Sequence, residues 1–367
     1  MIETLGMPQY EVEFKRKSDN FIRRSAQGVV FIILKDKKMA KGKLVEYNSF
    51  KEIKAEGMDV ENYELLKMCY KGKPRKVMVM AIDDYEVSGE DSKITLAKAL
   101  ELLKFKRFNY LVVPGVLKKH HETLVTWVET HREFYRPTHL ILAGYTNESG
   151  KRFVYNWGTD NVYIGEKKYS ASDFCVRLAG ILAGIPVNES VTRHELEDVT
   201  AADMKEDENT SVNKGEIFLS TDGDIFYISR GVTSLQRVTG DEDIEDFRKI
   251  KISETADMIY QDIKDTWQKK FVGKFMNVYR NKLVFIAAVR DYFESLEKID
   301  VLDPSGDNRI TIDIDENRRY LEEIKKVKVD DYEEAQIKEA NTGSFLYCTG
   351  NLLIADALED LKMKFYM

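Results

Sequence analysis

Short runs of uninterrupted apolar residues recur along the first half of the chain, at 29–34, 77–80, 110–113 and 140–143. Runs of this length with no polar alternation fit strands covered on both faces. Between the later runs the spacing changes to that of helices. Leu96, Leu100 and Leu103 share one face, and Leu124, Trp127 and Val128 share another. Strand, helix, strand, helix, strand predicts a largely parallel sheet with right-handed crossovers. Residues 170–185 close this region as a helix through Phe174, Leu178, Ile181 and Leu182, ended by Gly184-Ile185-Pro186.

The second half is patterned differently. Apolar runs at 217–219 and 225–228 flank a polar tract containing Asp222-Gly223, which predicts a hairpin. A short strand at 249–252 feeds a helix capped by Ser253, with Ile259, Ile263 and Trp267 on its apolar face and Asp257, Gln261, Lys264 and Asp265 off it. A second amphipathic helix over 281–299 runs through Ile286, Val289, Phe293 and Leu296, and Asp303-Pro304-Ser305-Gly306 breaks the chain. Beyond it come a strand at Ile310, Ile312 and Ile314, a charged helix over 315–326, a strand at 345–348 and a short helical pattern at 353–360.

Both chain ends alternate with period two. Tyr10, Val12 and Phe14 are interleaved with Glu11, Glu13 and Lys15, while Leu361, Met363, Phe365 and Met367 are interleaved with Lys362, Lys364 and Tyr366. A strand needs a partner for its backbone groups. For the N-terminal strand two arrangements follow, pairing within the same subunit or addition to a neighbour's sheet edge. The expected fold is α/β, with mixed sheet domains, a largely parallel N-terminal α/β region and extended N- and C-terminal strand arms. The expected division is an arm and linker at 1–27, an α/β domain at 28–185, an α+β domain at 186–350 and a C-terminal arm at 351–367.

Composition narrows the function classes. Hydrophobic residues at 43 % and charged residues at 32 % suit globular cores. A formal net charge of −7 argues against nonspecific nucleic-acid binding, which needs a cationic face. Cys69, Cys175 and Cys348 are far apart and odd in number, suggesting neither a disulfide framework nor a zinc site. No run approaches a membrane span and no signal-peptide pattern opens the chain, so assembly in the cytoplasm is expected.

Motifs for chemistry are incomplete. Gly144 to Lys151 follows a strand but has one residue too many between its glycines for a phosphate loop, and Arg152 stands where Ser or Thr is needed. Gly72-Lys73-Pro74 precedes its strand, and Pro74 lacks an N–H. His120, His121, His131, His139 and His194 match no zinc spacing. Asp313, Asp315 and Asn317 imitate a calcium loop, but Arg318 and Ile324 occupy its Gly and Glu positions. Ser234 has no local base. No catalytic residue, metal ligand or cofactor is therefore expected. Lys269, Lys270, Arg318, Arg319, Lys325 and Lys326 form basic clusters, read either as solvated faces or as a surface for an acidic partner.

The ordered series AGILAGIPVNESVT, RGVTSL, FRKIKISETADMIYQDI, KKFVGKFMNVYRNK and NTGSFLYCTGNLLIADALEDL resembles the tail-sheath proteins of contractile phage tails and of R-type, phage-tail-like bacteriocins of the Gram-positive type. The likeness is densest from Ala179 onward and extends more weakly to the opening residues. It implies a structural subunit that polymerises helically around an inner tube and contracts to drive it through a target envelope. Its implied partners are itself, the tube protein, and baseplate and terminator proteins, with no nucleic acid and no membrane insertion. It also favours terminal strands that join neighbouring subunits, and a particle released after assembly. The alternative from the sheet pattern is a cytoplasmic α/β enzyme binding a nucleotide or sugar phosphate. A ring-forming adaptor or terminator of the same particle is a third reading.

Overall fold

The apolar runs become the middle of one sheet in the computed structural model, which describes residues 28–86, 93–134, 136–238 and 244–367. In chain order the first elements are β1 (Val29–Lys35), β2 (Leu44–Tyr47), α1 (Val60–Lys71), β3 (Lys76–Ile82), α2 (Leu96–Leu103), β4 (Tyr110–Val112), α3 (His121–Phe134), β5 (His139–Ala143) and β6 (Val154–Trp157). There follow β7 (Asn161–Ile164), β8 (Lys167–Ser170), α4 (Ala171–Gly184), β9 (Glu195–Leu196), β10 (Ala201–Ala202), α5 (Glu208–Asn213), β11 (Glu216–Ile217), β12 (Leu219–Thr221) and β13 (Phe226–Ile228). The last are α6 (Ile250–Thr266), α7 (Tyr279–Glu297), β14 (Arg309–Ile312), α8 (Ile314–Arg319), α9 (Glu334–Glu339) and β15 (Cys348–Asn351).

The main sheet has the order β11-β6-β5-β4-β1-β3-β2. Every adjacent pair is parallel except β2 with β3. Alternate residues of β1 explain why no polar position interrupts it. Val30, Ile32 and Leu34 pack with α1 and α4 residues such as Leu66 and Leu178, while Val29, Phe31 and Ile33 pack with α2 and α3 residues such as Leu100 and Leu124. The largely parallel sheet expected from the sequence is present, and smaller antiparallel sheets accompany it: β10-β7-β8, β12-β13-β9 and β14-β15.

Helix α4 carries a full capping box, with Ser170 Oγ accepting from the Asp173 N–H at 3.3 Å and Asp173 accepting from the Ser170 N–H at 3.2 Å. It lies in backbone contact with α1, because a Cβ on Gly180 would fall 2.0 Å from the Cys69 carbonyl oxygen. Only glycine permits that approach.

Two compact units emerge, and neither is one continuous stretch. The larger comprises the described part of Arg24–Lys264 with Leu296–Asn308 and Leu352–Met367; the smaller contains Asp265–Ser295 and Arg309–Asn351. The boundary expected at 185/186 falls inside the larger unit, because β11 returns to the main sheet beside β6. The arm expected at 351–367 belongs, from Leu352, to that same unit.

Other local expectations need correction. The hairpin forms between β12 and β13, but Ile217 pairs in the main sheet instead. Helix α6 begins at Ile250, so no strand spans 249–252. Ser253 is buried there and its hydroxyl points at the Arg152 carbonyl, which removes it as a cap. In the smaller unit Trp267 opens a π-helical turn, Trp267–Phe271, and packs edge-on against Phe285 with ring centroids 5.0 Å apart. Residues 353–360 are not helical.

Candidate assembly site

Three of the stretches that carried the resemblance converge on the carboxylate of Glu359. Ser190 Oγ donates to Glu359 Oε1 at 2.9 Å and Thr192 Oγ1 donates to the same oxygen at 2.6 Å. Arg230 Nε donates to Glu359 Oε2 at 3.0 Å, and a second nitrogen of the same guanidinium reaches Asp360 at 2.5 Å. The Glu359 side chain is only 8 % exposed, whereas that of Asp360 is 73 % exposed. A carboxylate removed from water needs such donors to remain charged at little cost.

The socket is built on backbone already fixed by the larger unit. The Gly231 N–H donates to Thr192 Oγ1 at 3.0 Å, and the Gly231 carbonyl accepts from the Ile250 N–H at 3.0 Å. Upstream of Glu359 the chain is extended against the segment after α7. The Asp303 N–H donates to the Leu353 carbonyl at 2.9 Å, the Ala355 N–H to the Val301 carbonyl at 3.0 Å, and the Leu353 N–H to Asn308 Oδ1 at 2.8 Å. Lys249 pairs with Asp356. These long-range bonds displace the helix expected at 353–360, since a helix would need the same backbone groups for itself. They also tie down the stretch up to 360 within the region expected to be an extended arm.

Beyond Asp360 the picture changes. Residues 361–367 pair with no strand among the described residues, and Leu361 and Phe365 are 81 % and 84 % exposed. Met363 and Met367 are exposed as well, so the alternation does not sort these side chains into a core within one chain. Tyr10, Val12 and Phe14 lie outside the described residues.

The six basic residues occupy two separate places in the smaller unit. Lys269 and Lys270 sit in the π-helical turn after α6, and Lys269 pairs with Asp265 at 2.7 Å. Arg318 and Arg319 end α8, with Arg319 bonded to Glu316 at 2.5 Å. Lys325 and Lys326 follow a second π-helical turn, Tyr320–Ile324, and are exposed, with Lys325 Nζ 6.0 Å from the centroid of the Tyr320 ring.

The incomplete chemical motifs are filled by the chain itself. In the 144–151 loop, Asn147 Oδ1 accepts from the Ser149 and Gly150 N–H groups at 3.0 and 3.1 Å, and the Lys151 N–H donates to Ser234 Oγ at 3.0 Å. Gly150 has φ +66° and its missing Cβ leaves room for the Ser234 carbonyl, so RGVTSL occupies the place a phosphate would need. Asp313 caps α8 through the Glu316 N–H at 2.9 Å, while buried Asn317 donates to the Ile337 carbonyl at 3.1 Å. Among the described residues no group of three or more His, Cys, Asp or Glu side chains is placed to hold a metal ion, and no helix is long and apolar enough to cross a membrane.

One cluster was not legible in the sequence. Asp257, assigned there to the side of α6 off its apolar stripe, is 4 % exposed and receives two bonds from Arg132 at 2.8 and 2.9 Å, with Arg152 at 3.2 Å. Burial would raise its pKa, but Arg132, His139 and Arg152 hold it below the ordinary carboxylate range. One turn earlier, Glu254 Oε1 accepts from the hydroxyls of Tyr110 and Tyr155, each at 2.9 Å, and the Tyr155 hydroxyl lies 2.8 Å from His139 Nδ1. Burial pushes Glu254 up to about 7 and His139 down to about 3. Partly buried cations on α3 and the β6 approach have their counter-charge on a helix more than 100 residues away, and no local spacing announces that.

Residues 242–367 match the model of the phage tail sheath C-terminal domain. The chain is 32 % identical over 378 residues to the tail sheath protein of Clostridium phage phiCD119, covering 99 % of both. The fold is shared with a sheath tail protein from Desulfitobacterium hafniense, at TM-score 0.67 and 13 % identity over 84 % of this chain and 94 % of that one. It is also shared with the contracted helical sheath of the anti-feeding prophage, at TM-score 0.67 and 12 % identity over 99 % of each chain. The chain belongs to the phage tail sheath protein family.

Proposed function

We propose that this chain polymerises helically around an inner tube, joined to its neighbours by strands given from its two ends, and contracts to drive the tube through a target envelope. The observation that carries the reading is the tail at 361–367. Its period-two apolar pattern puts large exposed side chains just past a buried carboxylate anchor. The smaller unit offers it a place. Among the described residues the β14–β15 sheet has two strands, paired antiparallel from Arg309 with Asn351 to Ile312 with Cys348. Two-stranded sheets are marginal alone, and their outer edges accept further strands. A strand given to a neighbour makes a head-to-tail contact, which generates an open helix when the rotation does not close.

Tyr10, Val12 and Phe14 supply the second strand in this reading. Lys269, Lys270, Arg318, Arg319, Lys325 and Lys326 lie on the unit that faces an acidic tube, where charge complementarity sets register more than affinity. Baseplate and terminator proteins cap the polymer, assembly takes place in the cytoplasm, and the particle is then released. Contraction runs from a lattice trapped on assembly to one that buries more surface, so it consumes no nucleotide and the subunit is not an enzyme.

Negative-stain imaging of the purified chain, alone and with its tube protein, tests this. Hollow striated tubes are expected, longest with the tube protein present. Monomers or closed rings under both conditions, together with saturable binding of a nucleotide or sugar phosphate, would favour the enzyme reading.

A further inference from the structure

The bonds around Glu359 divide the last sixteen residues into a fastened part and a free part, although Leu352, Leu353 and Leu358 of the fastened part also present their side chains to solvent. Through Asp360 the chain is held by backbone pairing, by Lys249 with Asp356, and by the Ser190, Thr192 and Arg230 donors. From Leu361 onward its large side chains stand in solvent. We infer that the Arg230–Glu359 clasp is a positioning device for assembly: it fixes the point and direction from which the C-terminal strand leaves the body, and so sets its reach to the next subunit. The inference rests on the reading that residues 361–367 are given to a neighbour.

Reach follows from strand geometry. Seven residues at about 3.3 Å each span about 23 Å. Once Glu359 leaves the socket, Ser190 and Thr192 included, the nearest remaining ties are at Ala355 and Asp356, and eleven residues span about 36 Å. A longer, unaimed tether lowers the effective concentration of the strand at its acceptor edge and admits neighbours at the wrong spacing. Arginine suits the task because one planar fork binds two consecutive carboxylates, which a lysine ammonium cannot do with the same geometry. The clasp is polar and lies at the outer end of the fastened stretch. Opening it therefore leaves the packed body in place.

Cleavage after Glu359 by a glutamate-specific endoproteinase reads the clasp directly, because the enzyme must take up a side chain that the socket encloses. The comparison uses the full chain, Arg230→Ala, and a double variant Met363→Pro with Lys364→Pro that breaks strand pairing but keeps the clasp. Loss of a charge-assisted bond predicts cleavage of the Arg230→Ala subunit faster by about ten- to hundredfold, with tube yield at least several-fold lower. The double proline variant is expected to be cut at the wild-type rate and to form no tubes. Arg230→Lys is expected to give an intermediate rate, and it keeps the comparison decisive if the alanine variant also loses thermal stability. Unchanged cleavage of Arg230→Ala, or faster cleavage with normal tubes, overturns the clasp. Normal tubes from the double proline variant instead overturn the donated strand on which it rests.

Discussion

Deleting residues 361–367 is expected to abolish tube formation while leaving the thermal midpoint of the subunit within about 1–2 °C of the full chain, since surface changes away from packed contacts usually cost under about 0.5 kcal/mol. The two halves of this expectation have separate causes. Within one chain these residues pair with no strand among the described residues and expose Leu361, Met363, Phe365 and Met367, so their removal takes away no core packing. In the proposed polymer the same residues would supply a ladder of backbone hydrogen bonds to one neighbour and bury those side chains, an amount of apolar surface worth about 1.5–3 kcal/mol per large side chain. A loss repeated at every contact is all-or-none at the level of the tube. Differential scanning fluorimetry and negative-stain imaging of the truncated chain check both halves. Normal tubes, or a midpoint lowered by 10 °C, would show that the tail serves its own subunit.

The second large effect concerns pH and Glu254. Its folded pKa of about 7 stands above the ordinary 4.5, so the proton is bound more tightly in the folded chain. The corresponding stability is complete below 4.5 and is lost as the pH rises through 7. The buried histidines act oppositely. His139 is pushed down to about 3 and His131 to about 4 by burial, from an ordinary 6.5, so their contribution is present above 6.5 and lost as the pH falls. Between 4.5 and 6.5 these histidines, together with His121 and His194, whose pKa values burial also lowers, oppose the Glu254 loss; from 6.5 to 7 that loss acts without them. Glu254→Gln removes that loss. A Gln carbonyl still accepts from Tyr110 and Tyr155, and any fixed cost of its amide cancels when two pH values are compared. The stability of the variant relative to wild type is therefore expected to improve by about 3 kcal/mol between pH 4 and pH 8. Urea unfolding of unassembled subunit at both pH values measures it. A difference that does not change with pH would mean that Glu254 is already ionised in the folded chain at little cost.

How much of this was legible in the sequence depends on how far apart the interacting residues lie. Val77 to Met80 and Leu140 to Ala143 announce buried parallel strands because each residue's burial is written in its own apolar side chain. The Asp222-Gly223 hairpin is equally local. The Glu359 socket is not, because Ser190, Arg230 and Glu359 carry no mutual spacing and only the fold makes them neighbours. Asp257 misled for a related reason: period 3.6 sorts a helix into apolar and polar faces, but α6 is buried on much of both, and Asp257 is matched by Arg132 and Arg152. Residues 353–360 carry a weak helical pattern that loses to pairing with residues 301–303. The basic clusters were visible at once, yet Lys269 and Arg319 already hold acidic neighbours, so charge alone did not distinguish a solvated face from a docking face.

The central claim is that each subunit completes a sheet on another. A helical reconstruction of the assembled tube, at a resolution that separates strands, tests it most directly. The account predicts that β14 and β15 of one subunit are flanked by strands from others, one of them residues 361–367 leaving a closed Arg230–Glu359 clasp. A lattice in which every chain keeps both ends to itself and meets its neighbours through side chains alone would contradict it.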